Sequence, residues 1–115
     1  MATDEVVPVL RRAGYRVKAV QINEFTMRSW YRARWLLVLL DFTYLDSACF
    51  RLCARLRAIT RTPIMAVLRG SASHDVLRVF NAGADAVMPV SVSQREFLAR
   101  VEALLRRRPL YGRVH

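Results

Sequence analysis

The sequence predicts an α/β domain, a parallel sheet of four strands with helices packed against it. Two observations predict it. Helical and strand patterns alternate over short connections, which is how a parallel sheet is wound. The run Trp35-Leu36-Leu37-Val38-Leu39-Leu40 is apolar throughout, as in strands buried on both faces rather than one. That run ends in Asp41. A carboxylate therefore arrives at the C-terminal edge of the sheet, where open α/β sheets place ligands and chemistry.

The elements follow in order. Val6-Val7-Pro8-Val9-Leu10 reads as a short helix with Pro8 in its first turn, where a missing N–H does no harm. An edge strand is the alternative there. Residues 15–22 read as the first strand, after the Ala13-Gly14 break. Asn23 caps a helix to about residue 34, with Phe25, Met27 and Trp30 as core candidates. The second strand runs to Asp41 from residue 34 or 35. Asp46 or Ser47 caps a helix to about residue 59, with Phe50, Cys53 and Leu56 inward. Residues 63–68 form the third strand.

Ser73 caps the next helix, and Gly83 ends it in the left-handed position just past a helix. Residues 86–90 form the last strand, and Pro89 makes it an edge strand or an irregular one. Ser93 and Glu96 have the spacing of a capping box. The helix they start runs to about residue 107, with Phe97, Val101, Leu104 and Leu105 in one stripe. Pro109 stops it. Residues 1–108 thus form one domain, and 109–115 a tail or linker.

Composition narrows the function. Apolar residues make up 54% of 115 residues, which supports a packed core and argues against disorder. No apolar run approaches the roughly 18 residues that cross a bilayer. The acidic start Met1-Ala2-Thr3-Asp4-Glu5 is followed by no basic-then-apolar leader, so the expectation is a cytoplasmic protein without membrane association. Cys49 and Cys53 share a helix face and read as small core residues, too few for a zinc site. His74 and His115 form no pair. The net charge is +10, and of nineteen basic residues all but Lys18 are Arg. The bases are spread along the chain, so weak, salt-sensitive contact with nucleic acid is expected rather than specific recognition.

Six segments, in order, resemble the receiver domain of bacterial response regulators, nearest to the type that precedes a winged helix. They are Gly14-Tyr15-Arg16-Val17, Leu39-Leu40-Asp41, the helix around Leu52-Cys53-Ala54-Arg55-Leu56-Arg57, Thr62-Pro63-Ile64-Met65, Asn81-Ala82-Gly83-Ala84-Asp85, and the last helix from Glu96 to Arg107. The register needs no gap from Gly14 to Arg107. The resemblance implies a flavodoxin-like topology, with Asp41 as the equivalent of the phosphoacceptor. It also implies a missing first strand, because that strand and its acidic pair would fall before Met1. Without that strand, 15–22 would pair directly with the strand ending at Asp41. Another chain supplying it, or an upstream start, is the alternative.

The departures set the functional expectation. The hydroxyl that binds the phosphoryl group in receivers falls on Leu68, and the Lys that pairs with it falls on Val90. Charge developing in phosphoryl transfer would have few partners, so Asp41 reads as a relic with no metal, no Mg²⁺ and no cofactor. The expectation is a non-enzymatic pseudo-receiver that serves protein–protein interaction or dimerisation. The alternatives are a basic nucleic-acid-associated protein, a regulatory fragment of a transcription regulator, or a working receiver phosphorylated at Asp41. By the resemblance, a homodimer would use Val76, Phe80, Ala86, Glu96 and Arg100, with the N-terminal segment and the strand at 15–22 as the alternative surface. Val76, Ala86 and Glu102 stand where the family places charged partners, so apolar contacts would dominate.

Overall fold

The computed structural model describes residues 5–20, 35–42, 47–68 and 73–107. Over these residues the chain runs α1 (Val6–Arg12), β1 (Val38–Phe42), α2 (Ser47–Ile59), β2 (Ile64–Leu68), α3 (Ser73–Asn81), β3 (Ala86–Pro89) and α4 (Gln94–Arg107). The three strands are parallel in the order β1-β2-β3. The expected α/β architecture, a parallel sheet flanked by helices, is present.

β2 lies between its neighbours, and all five of its residues are buried. Its side chains alternate between two cores, as the two-residue period of a strand requires. Ile64, Ala66 and Leu68 join Val38, Leu40, Cys53, Leu56 and Val79 on the face covered by α2 and α3. Met65 and Val67 join Leu10, Met88, Phe97, Val101 and Leu104 on the face covered by α1 and α4. The inward assignments of Cys53, Leu56, Phe97, Val101 and Leu104 hold.

Two helices end in the same way, through a glycine. After α1, Gly14 adopts φ +97. Its N–H donates to Arg11 O at 3.0 Å, and Tyr15 N–H donates to Leu10 O at 3.1 Å. After α3, Gly83 adopts φ +123. Its N–H donates to Phe80 O at 2.9 Å, and Ala84 N–H donates to Val79 O at 3.3 Å. These paired bonds satisfy carbonyls that a helix end leaves open, and the left-handed residue they need is one that glycine adopts without a Cβ penalty. Ala84 and Val79 then meet in the core, which aims the chain into β3.

Three expectations are corrected. Residues 15–20 form no strand, so the predicted strand at 15–22 does not pair with β1 over that stretch; residues 21 and 22 lie outside the described residues. Tyr15 and Val17 bury their side chains against the second core, and side-chain packing without ladder bonds does not make a strand. The strand carrying Asp41 starts at Val38 rather than 34 or 35 and runs one residue past Asp41, to Phe42. The bond from Val38 N–H to Pro63 O at 2.9 Å opens its ladder, and Pro63 has no N–H with which to extend it. The last strand ends at Pro89 rather than 90. Val90 N–H still reaches Leu68 O at 2.8 Å, and β3 is the edge strand that Pro89 requires. The helix expected over 23–34 and the tail at 109–115 fall outside the described residues.

Candidate functional site at the C-terminal edge of the sheet

Parallel strands deliver their last residues to one edge. Asp41 stands beside Val67, and Phe42, Leu68 and Pro89 share the next register step. Val90 follows Pro89, held to β2 by its bond to Leu68 O. The fold therefore brings Asp41, Leu68 and Val90 to the same edge.

Their environments differ. Asp41 is exposed. Leu68 is 2% exposed and belongs to the first core. Val90 is half-buried and packs on the second core. These two positions at the shared edge are thus apolar, with neither a hydroxyl nor an ammonium.

Glu5 holds the N-cap position of α1 at this same edge, and its Oε2 accepts a bond from Gln94 Nε2 at 3.1 Å. Among the described residues no three His, Cys, Asp or Glu side chains group to hold a metal ion. A hard divalent cation needs several oxygens, so the described donor set at Asp41 does not fit Mg²⁺.

The predicted interface residues lie on α3, β3 and α4. Val76 is half-buried against the first core and Ala86 against the second. Phe80 is 42% exposed. Glu96 and Arg100 pair with each other one turn apart, Arg100 Nη2 donating to Glu96 Oε1 at 3.0 Å. Ser93 Oγ caps α4 by accepting from Glu96 N–H at 3.1 Å. Leu77, 60% exposed, lies one turn from Phe80 and was missed by sequence reasoning. Val76, Leu77, Val79 and Phe80 are all apolar, more than one buried stripe of a helix needs, and that excess was the available signal.

A second cluster missed in the sequence occupies the opposite edge. Arg57 Nη2 meets Asp85 Oδ2 at 2.7 Å and Thr62 O at 3.0 Å. Asp85 Oδ2 also accepts from Ile64 N–H at 2.8 Å, and Asp85 N–H donates to Ile64 O at 2.8 Å. Thr60 Oγ1 and Thr62 Oγ1 bond each other at 2.9 Å, and Thr62 Oγ1 donates to Trp35 O at 3.3 Å. Arg57 and Asp85 are 32% and 39% exposed.

No family model matches the chain. Curated relatives and solved structures do. The chain is 29% identical over 104 residues to the sensory transduction protein RegX3 of Mycobacterium tuberculosis, covering 90% of the chain and 46% of the relative. It is 35% identical over 101 residues to the transcriptional regulatory protein GltR of Pseudomonas aeruginosa, covering 85% of the chain and 42% of the relative. The chain thus spans less than half the length of these relatives. A two-component response regulator from Clostridium difficile superposes with a TM-score of 0.78 at 21% identity, covering 90% of this chain and 86% of that one. The receiver domain of the sensor histidine kinase PA1611 from Pseudomonas aeruginosa, which has a magnesium ion coordinated in its active-site cleft, superposes at 0.72 with 23% identity, covering 90% and 87%. The chain thus has the receiver-type fold of these structures and is similar in sequence to part of two regulatory proteins.

Proposed function

We propose that this receiver domain, comprising residues 1–108, is a pseudo-receiver: a non-enzymatic, cytoplasmic module that signals through protein–protein contact rather than through phosphorylation of Asp41. The observation that carries this reading is that Leu68 and Val90, both apolar, share the strand-exit edge with Asp41. Phosphoryl transfer to a carboxylate depends on cations and donors placed around the moving charge. Here the neighbouring positions extend the two cores instead.

The supported surface for contact is α3–β3–α4, and its occupant is a second copy of the chain. Leu77 and Phe80 are exposed apolar side chains on α3, and exposed apolar patches on folded domains mark interfaces. Glu96 and Arg100 satisfy each other within α4, which leaves apolar contact as the main attraction. A closed two-fold pair is the commonest outcome for such a face.

The test is incubation with acetyl phosphate and Mg²⁺, followed by intact-mass spectrometry, with light scattering on the same sample. The expected result is an unmodified mass and a dimer that persists as salt rises, because buried apolar contacts are barely screened. Stoichiometric phosphorylation at Asp41 would restore the working-receiver reading. A monomer at tens of micromolar, or a dimer lost in moderate salt, would remove the apolar interface.

A further inference from the structure

The basic residues are spread along the sequence, but the fold gathers many of them. In a parallel sheet wound with helices, every helix ends at the edge where strands begin. Arg11 and Arg12 stand in the last turn of α1, and Arg16 follows its glycine turn. Arg61 lies in the link from α2 to β2, and Arg106 near the end of α4. All five are exposed. Arg11 Nη2 donates to Val17 O at 3.1 Å, which fixes one guanidinium there. Asp85 is the carboxylate placed at this edge among the described residues, and Arg57 is paired with it. Glu5, Asp41 and Glu96 lie at the other edge, where the strands end and the helices begin.

Neutralising the helix ends accounts for only part of this charge. A helix C-terminus carries about half a negative charge, so four ends supply about two. Arg61 makes a contact of its own and is set aside; even with Glu102 on α4 counted as well, the other four bases leave a surplus of about one positive charge at one edge. All five are arginine, whose planar fork binds phosphate oxygens in pairs where an ammonium acts as a point.

We propose that the strand-entry edge, with Arg12, Arg16 and Arg106 at its centre, is a phosphate-binding surface for the backbone of nucleic acid. It lies opposite Asp41 and does not depend on the state of that residue. Contacts of this kind position a protein on a duplex without reading bases, so binding is indifferent to sequence and weakens steeply with salt.

The experiment uses the full chain and a fluorescein-labelled duplex of about two helical turns, with anisotropy read between about 50 and 200 mM salt. Two charge-matched double variants are compared, Arg12→Gln with Arg16→Gln at the proposed edge and Arg51→Gln with Arg95→Gln, both exposed residues away from it. The first should weaken binding about tenfold at the lowest salt and flatten the log–log salt slope by about 1.8, two contacts at about 0.9 each. The second should change affinity less than about twofold. Arg12→Lys with Arg16→Lys, which keeps the charge but loses the paired fork, should keep the salt slope and lose less affinity than the Gln double. Equal losses from the two Gln doubles would show diffuse charge and sink the proposal, as would no binding at the lowest salt. Tighter capture by phosphatidylserine vesicles than by the duplex would reassign the surface to membranes.

Discussion

The two edges of the sheet are built from the same strands and have opposite chemistry. At the strand-entry edge, Arg57, Asp85, Thr60 and Thr62 join backbone groups of Ile64 and Trp35 in a polar cluster. At the strand-exit edge, Asp41 on β1 shares the edge with Leu68 on β2 and with Val90 just past β3. The polar groups at the entry edge close turns and satisfy backbone N–H and C=O groups that the fold would otherwise leave unpaired. At the exit edge, Leu68 and Val90 pack on the two cores instead. One edge is held by polar pairing and the other by apolar packing.

The sharpest way to break the entry edge is Gly83→Ala. A Cβ at Gly83 would lie 2.8 Å from Arg57 Cβ, on a backbone at φ +123. The new methyl must displace Arg57, while the left-handed backbone adds its own strain. The expected loss is about 3 to 4 kcal/mol, measured from urea unfolding midpoints. A loss below about 1 kcal/mol would show that this turn relaxes freely.

Leu68→Thr tests the exit edge. It restores the hydroxyl that receivers carry, but at a position 2% exposed within the first core. Truncating the side chain and burying a hydroxyl should destabilise by about 2 to 3 kcal/mol. A neutral result would mean that Leu68 has not been taken over by the core.

Asp85→Ala comes third, at about 1 to 2 kcal/mol. Its ion pair is about one-third exposed on each side and contributes under about 1 kcal/mol after screening. The larger part is the lost acceptor for Ile64 N–H. Asp85→Asn, which keeps an oxygen there, should cost less; if both variants cost the same, the ion pair rather than the N–H acceptor dominates.

Much of the fold was legible because it rests on local signals. Gly83 and Pro89 marked a helix end and an edge strand, and the apolar stripe of α4 marked its buried face. The candidate site was legible only through resemblance, since nothing in the spacing of Asp41, Leu68 and Val90 brings them together without the sheet. The strand at 15–22 was misread because Tyr15-Arg16-Val17-Lys18 alternates as strands do. Alternation reports burial of one face, and here Tyr15 and Val17 obtain that burial on the second core without a ladder. The Arg57–Asp85 pair joins residues 28 apart, and single-sequence patterns carry no signal for a pair so distant.

Asp41→Ala should have the smallest effect, and it completes the comparison. Asp41 and Asp85 are carboxylates at opposite edges, and both residues are exposed overall. Exposure alone would give them equal weight. Asp85 accepts from a strand N–H and from a guanidinium that also grips Thr62 O, so its loss strips an acceptor from the ladder. Contacts of an exposed carboxylate are screened by solvent and contribute under about 1 kcal/mol. Asp41→Ala should therefore leave the unfolding midpoint nearly unchanged, and the oligomeric state with it, because the proposed interface lies on α3–β3–α4. A loss comparable to that of Asp85→Ala would show that Asp41 is held in the fold as firmly as Asp85, and that the two edges are alike. A dimer that dissociates in Asp41→Ala would tie this carboxylate to assembly and return a signalling role to it.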